Sequence, residues 1–311
     1  MPQTEIVDCS ADYHERTLLE IDHNHRWLDY AEFYLTHHCN LTCVNCNRFS
    51  NHNLSGSTDW NTHRDTYKEW SRKLHLDKVA FLGGEPTVYP QLVQAITDVN
   101  TWWPDAKLEI TSNGLLINKL RPAVVDAIKS TQTKLYISIH YETWVDSIKQ
   151  AVESKLGELK LKYTHRDTRD GPIRFERFIS SSGNEVVLEY TYYFRNSALT
   201  PGKSGKLELH RSEPEAAHRV CDMKHSHHFW EGKLYKCGVM VTLPHMIQQK
   251  SDMVNIHPDQ QQLLDSYTPL TVEDFYRDPD SVIDLEKTID QCTFCPANYT
   301  DYNKIITRDI R

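Results

Sequence analysis

The sequence lacks a surplus of positive charge. It has 35 Lys and Arg against 43 Asp and Glu, a formal net charge of −8, which excludes a basic nucleic-acid module. Both signs are dispersed along the chain, so it also lacks a charged disordered tail and a polybasic membrane anchor. No apolar run approaches the roughly 20 residues that span a bilayer. The segment 1–10 has no charged-then-apolar export pattern, so the expected compartment is the cytoplasm. Internal repeats and low-complexity tracts are missing as well. What is present is 39% hydrophobic and 10% aromatic content, enough for packed cores and, at 311 residues, about two domains. Apart from Cys9, the eight cysteines fall in two groups, with several of the 17 His beside them. That placement favours metal ligation over disulfides.

From residue 31 to 140, short β-rich runs alternate with longer helical ones. Strands are predicted over 31–36, 78–82, 107–111 and 134–139, and helices over 65–74, 90–99, 118–129 and 142–161. Such alternation predicts an α/β fold with a parallel sheet, right-handed crossovers and binding groups at the C-terminal strand ends. The residues at those ends are chemically unusual. The first strand runs into Cys39, Cys43 and Cys46, the second into Gly83-Gly84-Glu85-Pro86, the third into Ser112-Asn113-Gly114, and the fourth into Ser138 and His140. Beyond residue 170, runs 173–179 and 186–194 predict a hairpin about 180–184. The aromatic residues of its second run, like Trp102 and Trp103, are read as core. Segment 200–206 is a linker candidate, and a strand is predicted over 206–209. The expected organisation is an extension over 1–30, an α/β domain over 31–214 and a C-terminal domain over 215–311.

Cys39, Cys43 and Cys46 are spaced C-x3-C-x2-C, three thiolates without a local fourth. A structural zinc site needs four ligands, so His37 or His38 would have to complete it. Three thiolates also suit a [4Fe–4S] cluster with one iron open to an exogenous ligand. With Gly83-Gly84-Glu85-Pro86 after the second strand, residues 31–195 resemble the radical S-adenosylmethionine (SAM) superfamily. The resemblance implies a partial (βα)6 barrel and a [4Fe–4S] cluster whose open iron is chelated by the methionyl group of SAM. It further implies one-electron cleavage of SAM to a 5′-deoxyadenosyl radical that abstracts hydrogen from a substrate. By position, Gly83 and Gly84 would let the backbone approach the cofactor, Glu85 would accept from the methionyl ammonium, and Pro86 would stiffen the turn. Ser138 matches a contact to the SAM carboxylate or ribose, and His140 stands where many relatives carry Asp. Asn45 replaces an aromatic residue usual near the adenine, so an amide takes the place of a stacking ring. Ser112 and Asn113 match a turn that faces the substrate.

The second group is Cys221, Cys237, Cys292 and Cys295, a C-x10-G-x4-C segment through Gly232 followed by C-x2-C. Four thiolates suit a closed site for structure or electron transfer. A four-cysteine zinc ribbon, or a redox dithiol at Cys292 and Cys295, is the alternative. The spacing resembles the small α+β twitch domain of some radical SAM enzymes, without the further cysteines of the larger SPASM form. It implies one auxiliary cluster, so the expected cofactors are two [4Fe–4S] clusters and S-adenosyl-L-methionine. His225, His227 and His228 are read as solvated surface, with ligand and proton-transfer roles as alternatives. Cys9 is read as a free thiol.

Four ligands on the auxiliary cluster imply outer-sphere electron transfer, as in family members that oxidise a small molecule. A peptide- or protein-modifying maturase is the alternative, although the roughly 30 residues before the first strand are too few for a separate peptide-binding domain. From another class, the chain would be a non-catalytic metal-binding or electron-transfer protein. The expected partners are a small-molecule or peptide substrate and an electron donor such as flavodoxin or ferredoxin, with no membrane and no extended nucleic acid.

Overall fold

The computed structural model describes residues 26–167, 173–191, 193–194, 197–298, 303–304 and 307–310. Cys9 and most of the expected extension lie outside them. Strand β1 (Arg26–Tyr34) is followed by β2 (Leu41–Cys43), helix α1 (Trp60–Ser71), β3 (Leu74–Leu82), α2 (Leu92–Trp102), β4 (Lys107–Ser112), α3 (Pro122–Ser130), β5 (Lys134–Ile139) and α4 (Val145–Leu156). Strands β1, β3, β4 and β5 pair in parallel in that order. Their helices form where apolar residues recur at helical spacing and the ends are capped. Asp59 accepts from the Asn61 N–H at the start of α1, and Pro122 opens α3 with the φ a first turn needs. Trp60, Tyr67, Ile96, Val124, Ile128 and Val152 then pack on Phe33, Phe81, Ile110 and Ile137 in one core. Each such side chain contributes about 1.5–3 kcal/mol by leaving water. Trp103 is buried in this core and Trp102 packs against it.

The helix expected over 142–161 is shorter. Gly157 ends α4 at φ 82, a backbone region that glycine enters without strain. Alternating Leu and Lys then start β6 (Leu159–Asp167). With β7 (Ile173–Ser180) and β8 (Glu185–Tyr190) it forms an antiparallel meander that contains the expected hairpin. Strand β8 pairs in parallel with β5, so the fifth parallel strand is reached through two antiparallel ones.

The remaining elements are β9 (Tyr193–Phe194), β10 (Leu199–Pro201), β11 (Leu207–Leu209), α5 (Pro214–Val220), β12 (His227–Trp230), β13 (Lys233–Tyr235), α6 (Gly238–Gln249), β14 (Val254–Asn255), α7 (Pro258–Asp265), α8 (Val272–Arg277), α9 (Ser281–Asp284), β15 (Asn303–Lys304) and β16 (Thr307–Ile310). The linker candidate at 200–206 is instead part of the β10–β11 hairpin, which joins β14 in a small sheet. Strand β16 pairs antiparallel with β2.

Strand β12 pairs in parallel with β1, placing Ala31 opposite His227 and Phe33 opposite Phe229. The mixed sheet therefore has nine strands, in the order β13-β12-β1-β3-β4-β5-β8-β7-β6. Phe229, Leu234 and Phe275 share the core of the parallel strands. This pairing corrects the surface reading of two histidines: His227 and His228 are each 0% exposed because β12 is an interior strand. His225 precedes the strand, and its side chain stays 60% exposed. Among the described residues, no helix is long and apolar enough to cross a membrane.

Candidate functional site

Cys39 lies beyond β1, Cys43 ends β2, and Cys46 follows a turn in which Asn45 takes φ 61. The Cys46 N–H donates to the Cys43 carbonyl at 3.3 Å, and the Phe49 N–H to the Cys46 carbonyl at 2.9 Å. The three cysteines pack together with Leu41, Leu115 and Trp144. Burial pushes the Cys39 thiol far above its ordinary range, and the Glu85 charge adds to this. Burial, then Cys46, pushes Cys43 up to about 12. Thiols that resist ionisation alone become stable thiolates when a metal cation compensates their charge. This donor set therefore fits an iron–sulfur cluster.

The Gly83-Gly84-Glu85-Pro86 segment is bonded to the chain leading into the cysteine loop. The Gly84 N–H donates to the Thr36 carbonyl and the Glu85 N–H to the His38 carbonyl, both at 2.7 Å. A Cβ on Gly83 would stand 2.4 Å from the Thr36 oxygen, and one on Gly84 would stand 2.3 Å from that of His38. The close approach that these glycines permit here is between the two loops. Pro86 is buried and opens a short helical turn capped by Glu85.

Glu85 is 1% exposed. Its Oε1 accepts from Ser112 Oγ at 2.9 Å and from Thr87 Oγ1 at 2.6 Å, and its Oε2 accepts from the Asn113 N–H at 2.9 Å. The Asn113 side-chain amide donates to Asn40 Oδ1 at 2.7 Å, beside Cys39. Ser112 and Asn113, expected to face substrate, thus brace Glu85 and the cysteine loop. Burial raises the Glu85 carboxyl above its ordinary value, and no cation among the described residues offsets this. A buried carboxylate bonded only by neutral donors can still accept a charge-assisted hydrogen bond from an added cation.

Ser138 Oγ donates to Glu189 Oε2 at 3.2 Å, and His140 Nδ1 is 3.2 Å from the Thr191 carbonyl. Both therefore bond to β8 or to the residue just past it. Burial lowers the His140 pKa, which favours a neutral ring donating to that carbonyl. Asn45 has its side-chain nitrogen buried without a hydrogen-bond partner, so its amide is available to a ligand acceptor.

In the second group, Cys221 precedes the β12–β13 hairpin and Cys237 follows it. The turn places Glu231 at φ 49 and Gly232 at φ 77, a two-residue type I′ geometry that favours glycine. This explains the glycine in the cysteine spacing: the hairpin folds back and brings Cys221 and Cys237 together. The C-x2-C segment is tied in by two bonds, Ser212 N–H to the Thr293 carbonyl at 3.0 Å and Thr293 Oγ1 to the Ser212 carbonyl at 2.6 Å. All four cysteines line one pocket. Burial raises the thiols of Cys221, to about 11, and of Cys295, where the other three cysteines add. Among the described residues, no three Cys, His, Asp or Glu side chains are gathered tightly enough to chelate a single metal ion. His37 is bonded through Nδ1 to the Tyr34 hydroxyl at 3.0 Å, and its Nε2 is buried without a hydrogen-bond partner.

Among the solved structures similar to part of this chain are those of SuiB, BtrN and anSMEcpe. Streptococcus suis SuiB bound to S-adenosylmethionine is 18% identical at a TM-score of 0.31, over 37% of this chain and 25% of that one. BtrN in complex with AdoMet and 2-DOIA is 18% identical at 0.29, over 37% and 46%. Native anSMEcpe with bound AdoMet and Cp18Cys peptide is 14% identical at 0.33, over 42% and 41%. The matched part is between a quarter and a half of each of those chains. No protein-family model and no curated protein matches the chain. At such values the chemistry of the site rests on its own residues.

Several of those residues are invisible to motif reading. Arg48, two positions after Cys46, pairs with Glu32 at 2.9 Å, and His228 Nε2 lies 2.5 Å from the same carboxylate oxygen. A Cβ on Gly238, the residue after Cys237, would collide with the Arg48 guanidinium. The side chain of Arg48 therefore reaches from the first cysteine loop to the start of α6 at the second. Burial raises Glu32, but His228 and Arg48 outweigh it and bring the carboxyl down to about 2. Glu189, buried beside Ser138, has its carboxyl raised by burial. Lys236, adjacent to Cys237, is 3% exposed and lines the four-cysteine pocket. The one sequence signal for Arg48 and Lys236 is closeness to a cysteine, two positions away for Arg48 and one for Lys236.

Proposed function

We propose that the chain is a radical SAM enzyme with a second, fully protein-ligated iron–sulfur cluster, and that it oxidises a small molecule. The observation that carries this reading is the bracing of Glu85 beside Cys39. The same loop contact that positions three thiols also holds a buried carboxylate without a cation, which suits a ligand bearing both a metal-chelating group and an ammonium. On this reading Cys39, Cys43 and Cys46 hold the cluster that supplies one-electron cleavage of SAM and a 5′-deoxyadenosyl radical. Glu85 accepts from the methionyl ammonium, Ser112 and Asn113 keep its oxygens oriented, and Asn45 offers its amide at the adenine. Ser138, near the end of β5, would contact the SAM carboxylate or ribose, and His140, just past the strand, would stand where relatives carry Asp. Cys221, Cys237, Cys292 and Cys295 would hold the auxiliary cluster, which would supply a one-electron acceptor for the oxidation. That closed ligand set is what favours small-molecule oxidation over substrate ligation.

The test is anaerobic reconstitution with iron and sulfide, an expected content of about eight iron and eight sulfide per chain, and reductant-dependent release of 5′-deoxyadenosine. Zinc in place of iron, with no SAM cleavage, makes the chain a non-catalytic metal protein. Turnover on a peptide, with none on small alcohols or amines, makes it a maturase.

A further inference from the structure

The four-cysteine pocket has a cationic lining. Its charged members are Lys224 and Lys236, with His218 beside them, and no carboxylate stands among the described residues that line it. Lys236 is the buried one. Its ammonium donates to the Leu285 carbonyl and to His218 Nε2 at 3.5 Å, while its backbone N–H donates to the Tyr267 hydroxyl at 2.8 Å. Burial and the Lys236 charge hold His218 below its ordinary value, so it serves Lys236 as a neutral acceptor. A lysine that could place its ammonium in water is thus fixed indoors by two neutral acceptors. Burying a charge this way is unfavourable unless an opposite charge compensates it. The groups in position to do so are the four cysteines, which line the same pocket as Lys236. Glu215 on α5 is the carboxylate that faces Cys292.

We infer that Lys236 is a positioning residue that sets the reduction potential of the metal cluster held by Cys221, Cys237, Cys292 and Cys295, making that cluster an electron acceptor. The inference rests on the proposal that this pocket holds an iron–sulfur cluster. A cluster with four thiolate ligands is anionic, and one added electron makes it more so. A fixed ammonium against it stabilises the reduced form over the oxidised one, as charge, hydrogen bonding and burial are known to tune such centres. No proton transfer at Lys236 is involved. The electron enters the cluster, and the positive charge stays where the Leu285 carbonyl and His218 hold it.

The experiment is a redox titration of the reconstituted full chain, followed by electron paramagnetic resonance. A Cys39→Ala, Cys43→Ala, Cys46→Ala background isolates the signal of the second cluster. Lys236→Gln keeps a donor for the Leu285 carbonyl but loses the charge. It is expected to lower the reduced-to-oxidised ratio about tenfold at a given potential, a shift of about 59 mV to more negative values for one electron. Lys236→Arg keeps the charge and is expected to stay near the parent. A Lys236→Gln cluster with unchanged iron content and unchanged potential overturns the inference while leaving the cluster in place. So does an equal shift in Lys236→Arg, which would mark a packing effect. A background chain that binds no iron or sulfide at all overturns the cluster reading itself, and the inference with it.

Discussion

The two cysteine sites carry opposite charges against their sulfurs. Beside the first stands Glu85, a buried acid that pushes Cys39 further from ionisation. Burial raises the thiols at the second as well, but beside them stands Lys236, a buried base whose charge partly offsets that rise at Cys221 and Cys292. A site that keeps an uncompensated carboxylate is prepared for an incoming cation, whereas one lined by lysines is prepared to hold an anion permanently. They also differ in construction. The first is a single loop locked to a neighbouring strand end by two backbone bonds. The second is assembled from three stretches of chain, two of them joined by a hairpin.

The strongest way to break this contrast is to remove one ligand from each site. Cys39→Ser is expected to abolish 5′-deoxyadenosine release and reduce bound iron from about eight to about four per chain. Cys292→Ser is expected to cost similar iron yet leave SAM cleavage measurable. Equal loss of cleavage in both would show that the sites do not divide the work. Next in size is Gly84→Ala, where the new methyl must displace the His38 carbonyl. Such overpacking costs about 1–3 kcal/mol, read as a lower midpoint in thermal unfolding. Gly232→Ala should cost about 1–2 kcal/mol for the left-handed backbone of the hairpin turn. It should also loosen iron at the second site without touching SAM cleavage.

The smallest effects are in pH dependence, and they have opposite signs. Burial raises the Glu85 carboxyl above 4.5. In the metal-free chain its contribution is therefore complete below that value and lost as pH rises through the raised one. Glu286 is raised by burial, but His227 and His225 outweigh this and bring it from 4.5 to about 2. Its contribution is present above 4.5 and lost as pH falls toward 2. Unfolding midpoints against pH should flatten on the alkaline side for Glu85→Gln and on the acid side for Glu286→Gln. A matching change in both variants would remove the electrostatic distinction.

Much of the first site is legible in the sequence because its parts are local. Three cysteines within eight residues, and two glycines beside a glutamate at a strand end, each carry a conformational or chemical requirement that few residues satisfy. What escaped is what arrives from far along the chain. Nothing within His227–Trp230 announces pairing with a strand near residue 30, since parallel pairing leaves no local turn signature. Its two histidines therefore looked like solvent-facing residues. The functions of the glycines at 83 and 84, and of Ser112 and Asn113, were expected on the ligand side. Their observed partners are Thr36, His38, Glu85 and Asn40, contacts that depend on how two loops meet and not on either loop alone. The helix expected over 142–161 ran too far because Leu159 continues the apolar spacing past Gly157, and the left-handed glycine outweighed that pattern.

The pairing of β12 with β1 has one more consequence. Chains cut after β11 would leave Ala31, Glu32 and Phe33 as a bare margin of sheet, with amide and carbonyl groups open to the next molecule. An unprotected margin of that kind recruits strands from other copies and grows into aggregates. The segment that carries the second cysteine group therefore also covers the strand edge of the first one's scaffold.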